Sequence, residues 1–162
     1  DFEVAMWRAL RAAAVAFAMA GGVVLLGVAI VTLVSVGGRW LLAQPVAGDV
    51  ELVQLGTATA LALFLPYCQL HGSHLIVDIF TARAGSSVHR QLDFAAHAIA
   101  AVVLALLALR AGAGIMDLYR AGETSMVLGL PLWFAYAAMV PSLGLAALIA
   151  LVGWQRDKPD EH

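Results

Sequence analysis

Charged positions fall into bands along the chain, and the gaps between the bands are apolar. Between Arg11 and Arg39 lie 27 residues without Asp, Glu, Lys or Arg, and between Glu51 and Asp78 lie 26, broken only by His71 and His74. Between Asp93 and Arg110 lie 16, and between Glu123 and Arg156 lie 32. A helix rises about 1.5 Å per residue, so about 20 apolar residues cross the roughly 30 Å of a bilayer's hydrocarbon. The gaps therefore predict four transmembrane helices, at about 12–36, 50–70, 92–116 and 131–154. The third requires Arg110 to lie near the headgroups, its stem in lipid and its guanidinium reaching water. Pro131 suits the first turn of the fourth helix, where its missing N–H costs nothing. Pro66 and Pro141 fall inside helices and should kink them.

The connector 71–91 carries its own pattern. Leu75, Ile76, Ile79 and Phe80 share one helical face, and His71, His74, Asp78 and Thr81 the other. Such a segment reads as an amphipathic helix lying in the membrane interface; the other reading is that the second helix runs on into the cytoplasm. Small residues at four-residue spacing (Ala14, Ala18, Gly22; Ala101, Ala105; Ala108, Gly112; Ser142, Ala146, Ala150) mark candidate helix–helix contacts.

Composition agrees. Of the 162 residues, 62% are hydrophobic and 12% charged, against norms of about 45–50% and about 25%, with mean hydropathy +0.90. That excludes a soluble monomer and a disordered tail. Nine Lys and Arg against eleven Asp and Glu leave no basic excess for nucleic acid. No linker or second domain interrupts the chain, so 1–162 is expected to be a single all-α membrane domain in contact with lipid. A cleaved signal peptide does not explain the first span: its uncharged run is too long, and no clear cleavage site follows. The chain opens at Asp1 without Met, so part of the natural N-terminus is expected to be missing. Arg8, Arg11, Arg83, Arg90, Arg156 and Lys158 fall on one side, and Arg39, Arg110 and Arg120 on the other. The bias predicts cytoplasmic termini. Trp7, Trp40, Trp133 and Trp154 lie near predicted helix ends, as in interfacial aromatic belts.

Candidate chemistry is sparse. Glu51, Asp78, Asp93, Asp117 and Glu123 map to helix ends or loops, so no carboxylate is expected at mid-bilayer to couple an ion. No span carries the paired interruptions that unwind helices around a solute. His71, His74 and Asp78 could in principle ligate a metal; a polar face meeting water, headgroups or another subunit is the alternative. His97 is expected to make a polar contact rather than ligate haem, which needs a second axial group at the same depth. Cys68 reads as a small apolar residue. No cofactor or metal is expected.

Glu51, the run HLIVD (His74–Asp78) and the run GETSMVLGLPLWFAY (Gly122–Tyr136), with Pro141 and Gly144 beyond, together resemble the small membrane subunit of TRAP transporters, the DctQ-type family. The resemblance covers nearly the whole chain, in order. It implies a non-catalytic subunit working with a large elevator-type permease subunit, which holds the substrate and sodium sites, and a periplasmic binding protein. It further implies a scaffolding role, help in docking the binding protein, and uptake of organic acids such as dicarboxylates or sialic acids across the bacterial inner membrane. On this reading His74 and Asp78 would lock the interfacial helix in place. Glu51, Glu123 and Trp133 would face the large subunit or the binding protein. A haem-binding membrane anchor of a respiratory enzyme is the alternative from another class.

Overall fold

The computed structural model describes residues 2–43, 46–71 and 86–156. They form four α-helices: α1 (Phe2–Leu42), α2 (Asp49–His71), α3 (Ser86–Ala121) and α4 (Trp133–Arg156). Each is long and apolar enough to cross a membrane, and among the described residues the only β-feature is an isolated bridge between Thr124 and Pro131. Of the expected interfacial connector 71–91, residues 72–85 lie outside the described residues, while His71 closes α2 and residues 86–91 belong to the first turns of α3.

Two helices, α1 and α3, run further than the sequence pattern and carry charges with them. The first helix runs for 41 residues, about 60 Å, about twice the hydrocarbon thickness, and carries Arg8, Arg11 and Arg39 with it. The third continues to Ala121 instead of stopping near 116. Arg110 is thereby eleven residues, about 16 Å, from the helix end. Hydropathy marks where apolar residues stop, whereas backbone hydrogen bonding carries a helix on into polar sequence. Pro131 also moves: α4 starts at Trp133, and Pro131 precedes it, its carbonyl accepting the Phe134 N–H at 3.2 Å.

The helices pack in the order α1–α2–α4–α3, with α4 also brushing α1. Among the described residues α3 meets neither α1 nor α2, so the four make an open row and not a closed bundle. α4 lies inside this row, and its buried face is small: Ser142, Ala146 and Ala150 are fully enclosed, as their four-residue spacing predicted. The α1 seam is different from the one expected. Ala14, Gly21 and Ser35 are buried, one and two heptads apart, whereas Gly22 has open space beside it. A Cβ on Gly21 would stand 3.1 Å from the Ala60 carbonyl, and one on Gly56 would stand 2.4 Å from Val28 Cγ2. Heptad spacing keeps one stripe facing α2 along a gently wound pair.

A polar contact joins α2 to α4 deep in the row. Pro66 has no N–H, so the Ala62 carbonyl four residues earlier loses its helical donor. The Ser142 hydroxyl donates to that carbonyl at 2.7 Å, and both Ser142 and Pro66 are fully buried. In lipid such a freed group is satisfied by a neighbouring helix. At the other end of α4, His97 of α3 is buried, and the missing side chain of Gly153 leaves room for its ring.

Candidate functional site

The polar groups gather at one end of the row, where the α1–α2 connection and residues 122–132 meet. α3 stops there because Gly122 adopts φ +63°, a left-handed conformation open to glycine. Its N–H reaches the Tyr119 carbonyl at 3.3 Å while the Glu123 N–H reaches Leu118 at 3.2 Å, the double closure of a Schellman cap. The chain then folds on itself. The Ser125 N–H donates to the Leu130 carbonyl at 2.8 Å, and the Ser125 hydroxyl oxygen accepts the Leu130 N–H at 3.1 Å. Glu123, exposed, accepts the Leu132 N–H on its carbonyl at 3.3 Å, and Gly129 turns the tip at φ +64°.

Glu51, in the first turn of α2, holds this loop down. Its carboxylate accepts the N–H groups of Val127 at 2.9 Å and Leu128 at 3.1 Å. One N–H thus reaches each carboxylate oxygen, tying both to the loop backbone. Glu51 is therefore spent on the chain's own loop and is a poor candidate for ion ligation or proton transfer. Beside it Gly48, at φ +77°, lies so close to Leu128 that a Cβ would come within 2.4 Å of its Cγ. Both its conformation and its neighbour require glycine.

A second polar cluster braces the same end. The Ser35 hydroxyl of α1 donates to the Asp49 carboxylate, and Arg39 lies 3.9 Å from that carboxylate. The Val50 N–H also donates to Asp49 at 2.8 Å. Ser35 is almost fully buried, so a hydroxyl inside an apolar run is what ties α1 to the start of α2. Trp133 packs edge-on against Tyr119 at 6.0 Å and against Phe134 at 5.9 Å, closing the α3–α4 side.

Of the residues singled out in the sequence, Glu51 bonds the loop that follows Glu123, and Trp133, at the start of α4, packs on Tyr119. His74 and Asp78 lie outside the described residues. Ser35, Gly48 and Asp49 were not picked out. Asp49 could have been, as a second acid in the first turn of α2, whereas a lone serine in an apolar run gives no such signal. Among the described residues no cluster of three metal-ligating side chains occurs.

Two sequence pieces some 75 residues apart thus form one contact, and they are the pieces on which the resemblance rests. The family model described as "Tripartite ATP-independent periplasmic transporters, DctQ component" matches residues 28–157. The chain belongs to the DctQ family. It is the small membrane subunit of a TRAP transporter, a tripartite system that pairs such a component with a large permease and a binding protein. The match begins within α1 and takes in the whole loop-end cluster and α2 to α4. No curated protein and no solved structure matches the chain. Nothing in the family match supports a haem-binding anchor.

Proposed function

We propose that this DctQ chain is a non-catalytic scaffold of a sodium-coupled organic-acid importer in the bacterial inner membrane. It braces the large permease subunit, which holds the sodium and substrate sites for a dicarboxylate or sialic acid. The observation that carries this reading is where the ionisable groups stand. Among the described residues Asp49, Glu51, Asp117 and Glu123 gather toward the loop end and Asp93 lies in the first part of α3, away from the level of the α2 midpoint. The charged side chain nearest that level is Arg110, a cation that cannot ligand sodium. Small residues and one hydroxyl fill the α2–α4 contact, which suits packing and leaves no group to couple an ion.

With the termini cytoplasmic, the loop end faces the periplasm. The loop held by Glu51 then presents Met126, 99% exposed, and Val127, 61% exposed, to the binding protein. Glu123 and Trp133 flank that tip, and His74 and Asp78 are proposed to anchor the connector on the cytoplasmic side. Reconstitution tests the reading. The chain alone in proteoliposomes should show no sodium-driven uptake, and the large subunit with binding protein should need the chain for full uptake. Robust uptake by the isolated chain, or full uptake without it, would refute the scaffold role.

A further inference from the structure

The open row leaves a groove of about 650 Å³ between α2 and α3, floored by α4. Its walls are apolar, with Ala58, Ala62 and Ala111 keeping them shallow and Leu61 and Leu107 at the rims. Arg110 lines this groove. Helix registers give its depth. Gly114 faces Tyr136 and His97 faces Gly153, so in this antiparallel pair residue 110 stands level with Val140. The Ser142–Ala62 bond then puts Val140 level with Ala60, the midpoint of α2. α2 is about 35 Å long, so the Arg110 backbone is about 17 Å from either end.

A guanidinium keeps its charge in protein interiors, and an intramembrane cation without an anion is expensive. Among the described residues Arg110 makes no hydrogen bond or ion pair. We infer that the α2–α3 groove seats one transmembrane helix of the large membrane subunit, and that this helix carries an aspartate or glutamate at mid-membrane to pair with Arg110. The inference rests on the DctQ scaffold reading and gives it a surface. Charge complementarity selects the occupant. A partner helix brings a carboxylate to this depth directly, whereas a lipid must sink its headgroup from the surface. The alanines let a helix backbone approach closely, and a guanidinium binds a carboxylate through two parallel hydrogen bonds.

The test uses the chain co-expressed with its cognate large subunit. A photo-crosslinking benzoylphenylalanine replaces Leu61 or Leu107 at the groove, or Leu33, 72% exposed on α1, as the comparison site. Groove positions should crosslink to the large subunit, on a peptide containing a membrane-embedded Asp or Glu. Arg110→Ala should lower the large subunit retained through detergent purification roughly three- to thirty-fold, the span of interhelical polar contacts in membranes, with Arg110→Lys recovering most of it. Crosslinks from Leu33 with none from the groove would overturn the inference while leaving the scaffold reading intact. Crosslinks from the groove to phospholipid alone, with lipid retention lost in Arg110→Ala, would overturn it in favour of a lipid. Failure of the unsubstituted chain to co-purify with the large subunit at all would count against the scaffold reading itself.

Discussion

The Ser142–Ala62 bond makes a prediction whose size depends on Pro66, four residues after Ala62. Ser142→Ala removes a 2.7 Å hydrogen bond and leaves the Ala62 carbonyl, already deprived of its helical donor by Pro66, without a partner in a dry contact. Stranding a buried acceptor costs about 1–3 kcal/mol, and interhelical hydrogen bonds measured in membranes average nearer 0.6 with a maximum of about 2. A loss of about 1–2 kcal/mol is expected, close to tenfold in the unfolding equilibrium. Pro66→Ala restores an N–H at position 66, which can close the ordinary helical bond to Ala62. In that background Ser142→Ala should cost less than about 0.5 kcal/mol, leaving a coupling of about 1 kcal/mol. The cavity and straightening that Pro66→Ala itself introduces cancel in the cycle. The assay is reversible unfolding of the purified chain in mixed micelles, followed by helical circular dichroism as the SDS fraction rises. An equal cost of Ser142→Ala with and without Pro66 would refute the reasoning.

Two further predictions concern the loop end and the α1 seam. Glu51→Ala should free the 122–132 loop, lowering stability by about 1–3 kcal/mol and speeding hydrogen exchange at the Val127 and Leu128 amides, with the α4 core amides unchanged. Exchange at those two amides at the wild-type rate would show that the carboxylate does not hold the loop. Gly56→Ala should destabilise by about 1–3 kcal/mol because its Cβ meets Val28 at 2.4 Å, and Val28→Ala should recover much of the loss. Gly22→Ala, with open space beside it, should be neutral or stabilising by up to about 1 kcal/mol in the same unfolding assay. Equal effects at Gly22 and Gly56 would contradict the seam.

The four spans were legible because the bilayer acts on each helix separately: every spanning segment must be apolar and about 20 residues long, whatever its neighbours do. The α4 stripe Ser142, Ala146 and Ala150 was legible for a related reason, since close packing selects small residues directly. The α1 seam was not. In a membrane the lipid-facing side of a helix is as apolar as the packed side, so hydrophobic periodicity does not separate Gly21 from Gly22. The helix ends of α1 and α3 were also hidden, because polar sequence can continue a helix beyond the hydrocarbon.

The amino-acid sequence by itself determined that this is a four-helix membrane chain with its described carboxylates kept toward the helix ends, and its motifs carried the DctQ resemblance. Tertiary structure alone decided that Glu51 holds the loop bearing Glu123, that Ser142 answers the carbonyl freed by Pro66, and that the row is open with Arg110 at mid-depth. Each of these depends on the register between segments far apart in the chain. Hydropathy is a property of one segment at a time, whereas a hydrogen bond, a close approach or the depth of a charge is a property of two.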